Sequence, residues 1–329
     1  MERRCVNVKD YQQLIISGGT TSHETEAWGD RLNDKREGIC RIGLLNPSGF
    51  MLTGGSAKDD QLRDMMKKME VDIMCYPEVN VCWHKLTQRN RLEERTMGWF
   101  ETLHRSVAYN YQERSATRHQ YGGTAIFSIN NAASRVMGSG RDSTGLGRWT
   151  WTRFRGRNGI ITRVVCAYRP CAPAGTDKIF SVYAQQQRYF DEQLDDICPR
   201  EAFIRDLSED LDNWIGQGEQ VIVALDANED LRRGPMSTAF QQRNMREVLL
   251  TRHGRNAPST TDNGSAVIDG IWATPSISIE RGGYLAGGEA IPRTNHRCLW
   301  VDVKYEILYG HAIPPMIRYS IRRLKLQDP

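Results

Sequence analysis

An α/β sandwich with mixed sheets is the fold class this sequence predicts, and three observations predict it. Short apolar runs that read as buried strands alternate with helical stretches, as in "ICRIGLLN", then "KDDQLRDMMKKM", then "VDIMCYPEVN". Strands with a solvated face follow, of which "RWTWTRF" alternates apolar and polar residues. No internal repeat or low-complexity segment points to a solenoid or a disordered chain instead.

Bulk composition narrows the class further. A chain of 329 residues allows one large domain or two ordinary ones. With 39% hydrophobic and 26% charged residues it reads as a soluble globular protein. No apolar run approaches the roughly 18 residues that span a bilayer, so no membrane partner is expected. The start, "MERRCVNVKD", lacks the apolar stretch of a signal peptide. The eight cysteines are scattered without a CxxC pair, which suits reduced thiols and an intracellular setting. "CWH" at Cys82 to His84 has no second ligand pair at zinc spacing.

The elements can be taken in order. Residues 1–37 are polar and read as an extension, and 38–306 as the folded domain. Ile39 to Asn46 is a strand apolar on both faces. Lys58 to Met69 carries Leu62, Met65, Met66 and Met69 at helical spacing, with Asp59 and Asp60 in its first turn and Lys67 and Lys68 in its last, where the helix dipole favours them. A second buried strand ends at Pro77. Gly122 to Ile129, Arg148 to Phe154 and Gly159 to Pro170 are predicted as three strands of one meander. Tyr183 to Leu194 and Pro199 to Gly218 are helical, the second begun by proline and stopped by glycine. Strand "VIVALD" ends in Asp226, a helix follows near Ser237 to Leu249, and Ala266 to Thr274 and Arg297 to Ile307 are the last strands. Residues 307–329 form a basic tail or linker, with the run "IRYSIRRLKLQDP". The segment between Arg169 and Asp226 is read either as a DNA-facing helix or as an outer layer.

Charge is unevenly distributed. Gln88 to Pro170 holds 14 arginines and no lysine against 5 acids, a surplus of +9, so the rest of a chain of net +4 stands at −5. Exclusive use of arginine suits bidentate contacts to phosphate, and interleaved aromatics could stack on bases; the alternative is a solvated surface with its aromatics turned inward. Arg148, Arg153, Arg155 and Arg169 are the candidate substrate contacts, and duplex DNA is the expected partner.

Most of the predicted strand ends carry a chemically capable residue: Asn46, Glu78, Tyr168, then Asp226 and Asn228, with Asp269 inside "VIDGIW" and Asn295 and His296 before the last strand. Any one of these fits a turn. Asp269 does not, because a carboxylate among Val267, Ile268, Ile271 and Trp272 is costly unless paired. Glu78 suits a hard divalent cation such as Mg²⁺, with Mn²⁺ expected to substitute. Asp226 suits a base that deprotonates water, with Asn228 beside it. Asp269 could orient His296 toward developing negative charge.

Asn46, "PE" at Glu78, "AYRP" at Tyr168, "LDANED" at Asp226 and Asn228, "IDGIW" at Asp269 and "NH" at His296, in that order, resemble the endonuclease/exonuclease/phosphatase superfamily, the fold of DNase I, exonuclease III and the apurinic/apyrimidinic endonucleases. The resemblance spans roughly Ile39 to Lys304. It implies a four-layer α/β sandwich, two mixed sheets face to face with helices outside. It also implies that Glu78 binds Mg²⁺ with Asn46 in support and Asn295 nearby, that Tyr168 contacts the scissile phosphate, that Asp226 and Asn228 align the water, and that Asp269 orients His296. The aromatic at Tyr168 is similar to the apurinic endonucleases and the endonucleases of non-LTR retrotransposons; the DNase I and lipid-phosphate branches carry a histidine motif there. Asn295 and Ser48 depart from the pattern, where the family has Asp and Asp or Asn, so metal binding is expected to be weakened or shifted.

A Mg²⁺-dependent DNA-nicking endonuclease of retrotransposon type is the leading expectation, nuclear if its source is a eukaryotic mobile element. The alternatives are a phosphoesterase acting on RNA, a nucleotide, an inositol phosphate or a DNA–protein adduct, and a binding module that has lost its chemistry.

Overall fold

A computed structural model describes residues 26–50, 57–113, 117–173, 179–262, 264–291 and 294–311. Two sheets face each other. Strands β1 (Trp28–Gly29), β2 (Ile39–Leu44), β3 (Ile73–Pro77), β4 (Leu103–Ala108), β5 (Thr124–Ile129), β12 (Ile279–Tyr284) and β13 (Leu299–Lys304) form the first, in the order β1-β12-β13-β2-β3-β5-β4. Strands β6 (Val136–Arg141), β7 (Trp149–Arg155), β8 (Ile161–Tyr168), β9 (Gln220–Asp226), β10 (Arg246–Glu247) and β11 (Asp269–Ala273) form the second, in the order β10-β11-β9-β8-β7-β6. Each sheet has one parallel pair, β2 with β3 and β8 with β9, and both are therefore mixed.

Strand β3 shows why the central strands read as unbroken apolar runs. Its Ile73 and Cys75 enter the core between the sheets, while Met74 and Tyr76 pack outward with Leu62, Met65 and Met66 of helix α1 (Ala57–Lys68). A one-residue slip would exchange these two faces. The second sheet is covered by α4 (Pro199–Gly216), which contributes Phe203, Leu207, Leu211 and Trp214. Truncating any of these leucines to alanine should cost about 2–5 kcal/mol. The layers are thus helix, sheet, sheet, helix, as expected.

Several elements differ from the sequence reading. The three strands expected as a meander divide between the sheets: β5 pairs with β3 and β4, and the meander is β6-β7-β8. Strands β4, β6 and β12 escaped notice because they lack a long apolar run; β6 reads "VMGSGR" and β12 "IERGGY". The helix expected at Ser237 to Leu249 is two helices, α5 (Pro235–Gln241) and α6 (Val248–His253), separated by β10. The final strand stops at Lys304, and α7 (Tyr305–Tyr309) tucks Tyr305, Leu308 and Tyr309 into the core. Within the expected extension, β1 pairs with β12 and Lys35 reaches Asp72 at 2.7 Å. The basic run at 317–329 lies outside the described residues. The segment after Arg169 supplies an outer layer: α3 (Val182–Glu192), capped by Ser181, and α4.

Candidate active site

Strand direction assembles the site. Parallel β2 and β3 end at the same edge, and so do parallel β8 and β9. Strand β11 runs against β9 and begins there, with Asp269 directly opposite Asp226. Strand β13 runs against β2, so Leu299 opposes Leu44 and the preceding His296 lies at the same edge. Asn46, Glu78, Tyr168, Asp226, Asp269 and His296 therefore meet at one end of the sandwich, although they come from six separate places in the chain.

Asn46 is the central tie. Its Nδ2 donates to Glu78 Oε2 at 2.8 Å and to Asp226 Oδ2 at 2.9 Å, while its Oδ1 accepts from the Ser48 backbone N–H at 2.8 Å. It thus holds two carboxylates together and keeps its oxygen for the backbone. Glu78 and Asn228 both have left-handed backbones, φ 53° and 46°. This geometry turns the chain sharply at the strand end and is uncommon for a glutamate.

Asp269 accepts from His296 Nδ1 at 2.8 Å, and both are buried. An ionised carboxylate can only accept, so Nδ1 carries the proton and Nε2 is left to face the site. Burial opposes charge on His296, but Asp269, Asp226 and Glu78 outweigh it and hold the imidazole up at about 9. Burial, reinforced by the charge of Asp269, pushes Asp226 up to about 7, although His296 and Asn46 pull the other way.

Donor atoms of Glu78, Asp226 and His296 lie within 4.8 Å of one another. Asp269 Oδ1 is buried with no hydrogen-bond partner among the described residues. An acid-rich, oxygen-dominated pocket of this kind fits a hard divalent cation. Asn295, expected near the metal, is exposed and meets Ser48 Oγ at 3.3 Å on the rim.

The other expected residues are placed as follows. Tyr168 is buried at the end of β8, and burial keeps its phenol protonated. Asn228 is beside Asp226, which accepts from its backbone N–H at 3.0 Å, but its side-chain amide is engaged by Arg169 O and Cys171 Sγ at 2.8 and 3.1 Å. Three of the four arginines are engaged by acids of the protein, and Arg155 is exposed. Arg169 is buried and bound to Glu229, holding the turn after β9. Arg148 is buried between Asp142 at 3.3 Å and Asp206 at 2.8 Å. Arg153 pairs with Glu219 at 2.7 Å, and Arg155 lies opposite Ile161, so both sit at the far end of β7. Arginine's long stem and fork let it serve buried ion pairs as well as phosphate, which composition cannot distinguish.

Two residues were missed. Thr294 Oγ1 donates to Asn46 O at 2.6 Å and accepts from the His296 N–H at 3.2 Å, joining the two sides of the site. Thr260 Oγ1 accepts from the Asp269 N–H at 3.1 Å. Isolated threonines carry no signal in a sequence, and only "RTNH" placed one of them near a suspected residue.

No protein-family model matches the chain, and no curated protein matches it in sequence. Solved structures do. An apurinic/apyrimidinic endonuclease from Leishmania major superposes with a TM-score of 0.60 at 11% identity, covering 91% of this chain and 99% of that one. The human Nocturnin catalytic domain gives 0.52 at 17% identity, over 80% and 93%. A 3′ phosphatase from Neisseria bound to a product DNA hairpin gives 0.54 at 13%, over 80% and 99%. The two mixed sheets, their helical cover and these superpositions agree: the chain has the endonuclease/exonuclease/phosphatase fold.

Proposed function

We propose that this protein is a divalent-metal-dependent phosphodiesterase that nicks DNA, Mg²⁺ being the natural ion and Mn²⁺ a substitute. The observation that carries the reading is the convergence of Glu78, Asp226 and the Asp269–His296 pair in one cluster at the end of the sandwich. Glu78 would hold the cation, which, when bound, would offset phosphate charge and polarise the bond to be broken. Asp226, raised to about 7, is poised to take the proton of an attacking water near neutral pH. His296 presents Nε2 to a phosphoryl oxygen, and Asp269 keeps the ring oriented as charge gathers there. Asn46 maintains the spacing of the two carboxylates, and Asn228 stiffens the turn that carries Asp226.

DNA is the favoured substrate because structural neighbours named as apurinic/apyrimidinic endonucleases and a DNA-bound 3′ phosphatase share the fold, and because Tyr168 occupies the β8 end. The duplex preference suggested by the arginine-rich segment gains nothing from the positions of Arg148, Arg153, Arg155 and Arg169. A retrotransposon-type origin rested on that segment and on a basic run outside the described residues. The test is nicking of supercoiled plasmid in Mg²⁺. Glu78→Gln and His296→Ala should abolish it, and full activity in Asp226→Ala would refute the assigned mechanism. A preference for a soluble phosphomonoester over DNA would move the substrate assignment.

A further inference from the structure

Every exposed aromatic among the large exposed hydrophobics of the described residues sits at the site end of the sandwich. They are Tyr111, Tyr121 and Phe180, at 38%, 48% and 66% exposure. Strand pairing places them. Tyr111 follows β4, whose last residue Ala108 pairs with Thr124 opposite Pro77, the residue before Glu78. Tyr121 precedes β5 at that same edge. Exposed aromatics scattered singly need no explanation, but three that share a scaffold do.

The scaffold is a buried glutamine. Gln185 accepts from Asn110 Nδ2 at 3.1 Å and donates to Phe180 O at 3.0 Å and Tyr121 O at 3.4 Å. One side chain thereby fixes the three segments that bear the rings. Asn80 then connects the patch to the site. Its Oδ1 accepts from the Gly122 N–H at 2.7 Å and its Nδ2 donates to Glu78 Oε1 at 3.3 Å. The close approach is specific: a Cβ at Gly123, where φ is +79°, would meet Ala108 O at 2.8 Å.

Charge favours an anionic occupant. Tyr111 is sandwiched between the Arg141 guanidinium at 3.6 Å and the Tyr109 ring at 3.7 Å, so it holds a cation at the patch and offers no free face itself, while His119 meets the Tyr121 ring edge-on at 4.6 Å. Glu113 is neutralised by Arg188 at 2.6 Å. Arg118 and His84 are exposed on the neighbouring loops.

Tyr121 and Phe180, exposed beside Arg141 and Arg118 and reached from the catalytic edge, suit bases presented face-on. Bases inside a duplex hide their faces against each other, so only an unpaired strand can use such rings. We infer that Tyr121 and Phe180, beside the Arg141–Tyr111–Tyr109 stack, form a stacking platform for a single-stranded stretch of nucleic acid leading to the site. This rests on the phosphodiesterase reading for its purpose, but it can be tested separately.

The experiment is fluorescence anisotropy of a labelled oligo-dT strand and of a hairpin duplex of equal charge, in EDTA, where cleavage does not intervene. The strand should bind at least about 5-fold more tightly than the duplex. Tyr121→Ala and Phe180→Ala should each weaken strand binding by roughly 5- to 100-fold and leave duplex binding nearly unchanged. Tyr121→Phe should retain it, since the ring does the stacking, and thermal midpoints should match the wild type because the Tyr121 and Phe180 rings are exposed. Equal binding of both probes, or alanine variants that bind the strand normally, overturns the proposal. So does a change of oligomeric state in those variants, which would make the patch a protein interface. Plasmid nicking without strand preference removes this inference alone. Strand preference without nicking removes the nuclease reading alone.

Discussion

The two ends of the sandwich treat buried charge in opposite ways. At the end away from the site, carboxylates are matched. Arg41 grips Asp302 through two contacts at 2.7 and 2.9 Å, Lys35 meets Asp72 at 2.7 Å, and Arg163 and Arg153 both reach Glu219 at 2.7 Å. At the site end, next to the closed pairs Arg148–Asp142 and Arg169–Glu229, Glu78, Asp226 and Asp269 crowd together, and His296 is their only cationic partner within hydrogen-bond reach among the described residues. The first end is a set of closed ion pairs. The second carries surplus negative charge held in place by Asn46 and Thr294, so it is stabilised by whatever positive charge arrives. A buried carboxylate without a cation can also be structural, as Glu247 is, where the Leu250 and Ile271 N–H groups hold it; the cluster at the site differs in bringing several carboxylates together.

This contrast can be broken by substitution, and the largest expected effect is on turnover. Asp226→Asn and His296→Ala should lower nicking by about 10²- to 10⁴-fold, as expected when a positioned acid or base is removed. Asp302→Asn should leave catalysis nearly intact but cost about 3–5 kcal/mol in urea unfolding, because Arg41 would be left buried and unpaired. If removing Asp302 proves harmless, the closed-pair description of that end is wrong.

At the site end the sign reverses. The folded-state value of Asp226, about 7, stands above the 3.8 of an ordinary aspartate, so its favourable contribution is present in acid and lost as pH rises through that interval. Metal-free Asp226→Asn should therefore match wild type near pH 4 and exceed it by on the order of 3 kcal/mol near pH 8. His296 has the same sign at higher pH: raised to about 9 from 6.5, its contribution is intact below about 6.5 and lost as pH climbs through 9. Urea denaturation in EDTA across this range measures both, and a variant less stable than wild type at pH 8 would contradict the surplus-charge account.

Metal supplies the next test. Mg²⁺ at about 100 times its dissociation constant should stabilise wild type by roughly 2.7 kcal/mol and Glu78→Gln much less. The smallest effect belongs to Thr294→Val, which removes the link between Asn46 O and the His296 N–H. About 1 kcal/mol of stability and some 10-fold in kcat, with KM little changed, would show that the hydroxyl positions the imidazole.

Much of this was legible in the sequence because its signals are local. "VIVALD" reads as a buried strand whichever partners flank it, and Asp269 stands out because its neighbours are apolar. Helix α1 announced itself through Leu62, Met65, Met66 and Met69, and α4 through Pro199. Strands β4, β6 and β12 were hidden because their burial depends on partners far along the chain: Ser106, for example, meets Thr152 across the sheets at 2.9 Å. The arginines misled for the same reason, since composition reports charge but not the acid that Arg148 or Arg163 finds on folding.

By itself, then, the sequence determined which residues could do chemistry and the order in which strands deliver them, because strand burial and turn preference are written over a few neighbouring positions. Only the tertiary structure decided that β11 runs back against β9 to set Asp269 opposite Asp226, that Asn46 bridges two carboxylates, and that Arg148, Arg153 and Arg169 close on internal acids. Those outcomes depend on pairings across scores of residues, where chain direction and desolvation, not local propensity, determine which charges end up matched.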